Sequence, residues 1–123
     1  MVDSKKILVR LDRHTPVIGR INDREWLKRH FSHTELGYCG KRVRCLAARL
    51  AIKEWLLGFL QRELGCEEGN DREIEIVNDP GGRPRLRLNG EIAACAGRLK
   101  IKRILISISH SRALIAALVL VVR

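Results

Sequence analysis

Aromatic residues are scarce in this 123-residue chain: two Trp, two Phe and one Tyr make up 4% of it. Such scarcity argues against the stacking platforms on which single-stranded nucleic acids are held. CxxC pairs are lacking among the four cysteines, Cys39, Cys45, Cys66 and Cys95. Taken with His30 and His33, Cys39 and Cys45 fit no common zinc-ligand spacing. A secretory segment is lacking too, because the opening MVDSKKILVRLDR is broken by charges too early for a signal-peptide core. Disulfides need an oxidising compartment. The thiols are therefore expected to be reduced and mostly buried, and the protein cytoplasmic. A membrane span of roughly twenty apolar residues is also missing. The apolar run over 104–122 is interrupted by Ser107, Ser109, His110, Ser111 and Arg112, which predicts two buried strands and a turn. Internal repeats and low-complexity tracts are absent.

Negative charge is in deficit, with 14 Asp and Glu against 24 Lys and Arg, for a net charge of +10 and a pI of about 10.2. A field of that sign favours acidic partners: nucleic acid, an anionic membrane surface, a phosphorylated small molecule or an acidic protein. The hydrophobic share of 46% and charged share of 31% read as a globular chain, and the length predicts one domain over 1–123. In order, the patterning predicts a strand over 5–11 ending at Asp12, a break at Pro16 and Gly19, and a short basic helix over 20–30. A long helix over 31–64 follows, then a polar loop, a hairpin (73–77 and 85–88), an Ala-rich helix over 90–100 and a closing strand pair (103–109 and 113–122). That order predicts an α+β fold, a mostly antiparallel sheet with one long central helix packed on it.

The long helix organises the rest. Its apolar residues recur at helical spacing through Leu36, Cys39, Val43, Leu46, Leu50, Leu57 and Leu60. Glu54 continues that stripe. A carboxylate on a buried face needs a cation or metal beside it; the alternative is a stripe that has drifted, leaving Glu54 on the surface. Arg42, Arg49 and Lys53 share the flank of the stripe, where they can hold phosphates or serve as solvated surface charges. Ser32, with Glu35 three residues on, is the better N-cap. Asp12 reads as a turn residue, His110 sits at the tip of the last strand pair, and Arg20, Arg24, Lys28 and Arg29 form a basic face that could dock an acidic partner.

These pieces resemble a known family. The run 31–39 (FSHTELGYC) with 48–54 (ARLAIKE), Gly82-Arg83-Pro84 with Leu88-Asn89-Gly90, and Ile106-Ser107-Ile108-Ser109-His110 with Ala113 and Ala116 are similar to the holo-acyl-carrier-protein synthases, the small 4′-phosphopantetheinyl transferases. The match runs from about Arg20 to the C-terminus with the motifs in register. The resemblance implies transfer of 4′-phosphopantetheine from coenzyme A to a serine of an apo acyl carrier protein, with release of adenosine 3′,5′-bisphosphate. It implies magnesium held by Glu54 and Asp12, phosphate contacts from Arg49, Lys53 and His110, and Gly82 and Pro84 of the hairpin beside coenzyme A. It further implies docking of an acidic carrier protein at Arg20, Arg24 and Lys28, and a homotrimer. Four features depart from the family pattern, the first being an Asp12-to-Arg20 spacing about two residues longer than the family's. Arg10 stands where a glycine is usual, Gly58 where a lysine is common, and the loop over 61–72 is longer and more acidic. A coenzyme A-binding homologue without catalysis is the alternative those departures raise. A basic nucleic-acid-binding module is the alternative the net charge raises, although that charge is spread along the chain and not gathered in a stripe.

Overall fold

The computed structural model describes residues 5–12, 15–110 and 115–122, with side chains for 17–109 and 118–122. Strand β1 (Lys5–Asp12) leads into a single-turn helix α1 (Thr15–Ile18), then α2 (Arg24–His30), α3 (His33–Cys39) and α4 (Val43–Arg62). After a 3-10 turn over Asp71–Glu73 come the hairpin β2 (Ile74–Asn78) and β3 (Pro84–Leu88), helix α5 (Gly90–Arg98), and the strands β4 (Arg103–His110) and β5 (Ile115–Val122). The β-branched residues of the two closing runs suit strands. β5 lies in the middle of an antiparallel sheet ordered β1-β5-β4, and β2 with β3 forms a second, two-stranded sheet. Register places Asp12 opposite Ile115 on one side of β5 and His110 opposite Ile115 on the other. The backbones of Asp12 and His110 therefore reach the same end of the sheet.

The helical pattern over 31–64 is two helices, not one. Gly40 ends α3 with φ of 56°, a left-handed conformation that glycine adopts without penalty, and α4 starts afresh at Val43. Ser32 caps α3 as its spacing predicts: its hydroxyl accepts from Glu35 N at 3.2 Å, and Glu35 Oε1 accepts from Ser32 N at 2.9 Å. The expected helix over 20–30 begins only at Arg24, because Asp23 accepts from Trp26 N at 3.0 Å and fixes the start.

From Leu46 to Lys53 every residue of α4 is buried, so this half of the helix is enclosed on all sides. Its first turns pack with Val17, Phe31 and Cys39, and its later turns with Ile74, Ile76, Ile92, Val119 and Val121. Among the described residues no helix is long and apolar enough to cross a membrane.

The cysteines overturn the expectation of reduced thiols. Cys39 is bonded to Cys45 and Cys66 to Cys95, with Cα–Cα separations of 5.5 and 5.9 Å, within the range that bridging requires. The first bridge spans the turn between α3 and α4. The second ties the loop after α4 to α5 across a sequence separation of 29. Closing a loop of that length stabilises by about 3–4 kcal/mol in the chain-entropy account. Cys66→Ser is expected to lower unfolding stability by that amount in urea titrations under non-reducing conditions. An unchanged midpoint would show that the bridge contributes nothing.

Candidate active site

Two charges of α4 are buried, Arg49 and Lys53. Lys53 is the fully enclosed one, and Glu54 beside it takes the surface position that its spacing had left open. Counting from Leu46 and Leu50, the inward positions are Lys53, Leu56 and Leu60, and Glu54 falls on the exposed side. Lys53 and Glu35 are both 0% exposed and form an ion pair. The Lys53 ammonium also donates to His30 O at 2.6 Å and lies 5.0 Å from the Phe31 ring centroid. Glu35 Oε2 accepts from Ile76 N at 3.0 Å. Burial pushes the Lys53 ammonium below its usual range, and the Glu35 carboxylate opposes that shift. The argument that a buried charge needs a partner holds, but it applies to Lys53. The ammonium expected to hold phosphate is instead committed to the core, where it joins α3, α4, β2 and the end of α2.

Arg49, one turn earlier, faces a cleft. A cavity of about 660 Å³ opens beside it, lined by Ile18, Tyr38, Arg42, Arg44, Arg49, Asn78, Pro84 and Ile108 among others. Arg49 is 4% exposed and its guanidinium is held on three sides. Nη1 donates to Cys45 O and to Cys45 Sγ, each at 3.2 Å, and Nη2 donates to Asn78 Oδ1. The Tyr38 ring lies under it, with the centroid 5.0 Å from Cζ. Its Nε is buried with no hydrogen-bond partner among the described residues, an arrangement that is costly unless something outside the chain accepts from it. Burial lowers the affinity of this guanidinium for its proton, while the field of Glu35 restores part of it. Arg42 stacks on the same tyrosine at 5.1 Å and donates to Tyr38 O and Cys39 O, closing the end of α3. Three arginines thus border one cleft, and its lining is cationic.

The hairpin forms the opposite wall. Gly82, with φ of 86°, closes the turn by donating to Asp79 O at 2.8 Å. Asn78 Nδ2 donates to Gly82 O at 3.0 Å. Asn78 therefore links the turn to Arg49. Deeper in the hairpin, Glu75 is 4% exposed and bound by Arg87 Nε at 2.6 Å. Burial pushes its carboxyl up, but hydrogen bonds from Ser32 and Arg87 outweigh that and hold it below the usual carboxylate range. The stabilisation this gives is complete above the unfolded value of about 4.3 and is lost as pH falls through the lowered folded value. In urea titrations across a pH series, Glu75→Gln is expected to be less stable than the parent at pH 7, with the gap closing towards pH 3. A gap independent of pH would contradict this.

The structure brings Arg49 and Pro84 to one cleft, with Gly82 in the turn that anchors Asn78. Arg20, Arg24 and Lys28 are exposed at and before α2, and Arg20 pairs with Asp23 at 3.0 Å. Glu54 lies on the exposed side of α4. The side chains of Asp12 and His110 lie outside the described residues; only their strands are placed. Ile108, two residues before His110, lines the cleft, so β4 runs from the cleft to His110. Asn78, Tyr38 and Glu35 are the contributors that sequence reasoning missed. Asn78 reads only as part of a turn, and Tyr38 as one residue of a motif. Glu35 reads only as a capping residue, although a buried lysine nearby demands an acid of just this kind.

No protein-family model matches the chain. A holo-acyl-carrier-protein synthase of Syntrophus aciditrophicus is 36% identical over 116 residues, covering 92% of this chain and 89% of the relative. Another, of Moorella thermoacetica, is 40% identical over 98 residues, covering 77% and 75%. The solved synthase–coenzyme A complex of Chronobacterium ammoniagenes superposes with a TM-score of 0.79 at 27% identity, over 96% of each chain. These relatives and the α+β fold define an enzyme of the phosphopantetheinyl transferase class. Within that class, the chain belongs to the holo-acyl-carrier-protein synthase family.

Proposed function

We propose that this protein transfers the 4′-phosphopantetheine group of coenzyme A to a serine hydroxyl of an acidic apo acyl carrier protein, releasing adenosine 3′,5′-bisphosphate. The observation that carries the reading is Arg49, a buried guanidinium fixed by Asn78 and Cys45 at a cationic cleft, its Nε without a partner among the described residues. A terminal phosphate accepting from this guanidinium would gain charge-assisted hydrogen bonds at almost no cost in side-chain ordering. Arg42 and Arg44 add positive charge around it, His110 is a further phosphate donor at the end of β4, and the hairpin at Gly82 and Pro84 would flank the nucleotide.

Glu54 and Asp12 are the proposed holders of magnesium. The donor chemistry fits: both are hard oxygen ligands, and magnesium takes one or two carboxylates together with phosphates and water. When bound, the ion supplies charge neutralisation at the diphosphate. The serine oxygen forms a bond to the pantetheine-bearing phosphorus, the bond from that phosphorus to the bridging oxygen breaks, and the bisphosphate leaves with the electron pair. Glu54, exposed on α4, accepts the serine proton. Arg20, Arg24 and Lys28 would steer the acidic carrier protein to the enzyme.

A homotrimer is proposed on a separate observation. Leu105 on β4 is 47% exposed and Leu118 on β5 is 39% exposed, and the pairing of Leu105 with Leu120 and of Ser107 with Leu118 puts these leucines on one face of the sheet. An exposed apolar face of that kind favours association; the number three is what the family resemblance implies, and a sedimentation mass of three 14.0 kDa chains is the expected result. The activity is tested by following adenosine 3′,5′-bisphosphate by chromatography. Release should require coenzyme A, magnesium and apo carrier protein together; release independent of the carrier protein would contradict transfer.

A further inference from the structure

Glu54, Gly58 and Arg62 follow one another along α4 at four-residue spacing, which sets them in line on one side of the helix. Glu54 and Arg62 are exposed, yet Gly58 between them is buried. Its cover is Arg62. A side chain at position 58 would begin 2.5 Å from Arg62 Nη2 and 2.9 Å from Cζ and Nη1. Arg62 therefore runs back a full turn towards the N-terminus of the helix, the direction helical side chains favour. Its guanidinium rests where residue 58 would otherwise have a side chain. Glycine inside a helix costs about 1 kcal/mol relative to alanine, and the helix continues unbroken through this position. The space that glycine leaves is filled by the arginine.

We propose that Arg62, seated on Gly58, is the cation that binds the diphosphate of coenzyme A beside Glu54. The inference rests on the preceding reading that the diphosphate lies against Glu54. Residues four apart on a helix face are about 5–6 Å from each other, so the seat at Gly58 places the guanidinium within reach of a phosphate next to Glu54. A guanidinium presents two parallel donors to phosphate oxygens, and there it stabilises the charge that develops as the bridging oxygen departs. Arg49 and Arg62 then serve opposite ends of the ligand's phosphate groups.

A side chain at 58 and Arg62 in its seat exclude each other, which supplies the test. Arg62→Ala is compared with Gly58→Lys/Arg62→Ala, in which a lysine puts its ammonium into the vacated space. Transfer kinetics are measured together with calorimetric binding of coenzyme A and of adenosine 3′,5′-bisphosphate, which retains only one phosphorus of the diphosphate. Arg62→Ala is expected to lower kcat/KM for coenzyme A by about 10–100-fold, the range for charged hydrogen bonds, and to weaken coenzyme A more than the bisphosphate. The double variant should recover most of the loss, as a purely structural role would not allow. If Arg62→Ala stays within about twofold of the parent, or weakens both ligands equally, the assignment of Arg62 is overturned while the transferase reading stands. If the parent protein neither binds coenzyme A nor transfers from it, that reading fails and the assignment falls with it.

Discussion

Glu54→Ala is expected to slow phosphopantetheine transfer about 1000-fold at saturating coenzyme A and carrier protein. Two contributions disappear together in that variant: one of the carboxylates proposed to hold magnesium, and the proton acceptor for serine, worth 100-fold or more. The effect should fall on kcat, because both contributions act as charge develops. Stability should change little, within about 0.5 kcal/mol, since Glu54 is on the exposed side of α4. Glu54→Gln should be almost as slow, because it preserves shape and removes charge. Parallel assays of steady-state rate and thermal melting check the claim. A variant with parental kcat would remove Glu54 from the chemistry.

The second large effect concerns stability. Lys53→Met should cost about 3–5 kcal/mol, because it leaves the Glu35 carboxylate at 0% exposure without its counter-ion. For a chain of this size the melting temperature should drop by roughly 10–20 °C. Glu35→Gln/Lys53→Met should regain a large part of this, since a glutamine oxygen can still accept from Ile76 N while no buried charge remains. Melting curves of the two variants decide the matter. Equal destabilisation in both would show that volume and not charge sets the cost.

Most of the architecture could be read from local pattern. Alternating residues mark the β2–β3 hairpin, β-branched runs mark β4 and β5, and Ser32 with Glu35 marks the start of α3. Each is determined by neighbours a few residues away. Which charge lies on the buried face of α4 was left open by the sequence, for a physical reason. A helix buried all round over 46–53 has no single stripe, so adjacent positions such as Lys53 and Glu54 cannot be told apart by period alone. The disulfides were misread because spacing says nothing about which cysteines the fold brings together; Cys66 meets Cys95 only once α5 has packed. The break at Gly40 was hidden because the apolar pattern continues across it. In the cleft, Arg49 was legible through its motif. Asn78, which orients it, was not, because turn composition conceals what a side chain reaches once the hairpin has closed.

The most direct test weighs an apo acyl carrier protein by intact mass spectrometry after incubation with this protein, coenzyme A and magnesium. The predicted result is a gain of one phosphopantetheine group on the carrier, absent when Glu54→Ala replaces the parent or when magnesium is chelated. A carrier protein that keeps its apo mass with the parent enzyme, or gains the group equally with Glu54→Ala, would contradict the account.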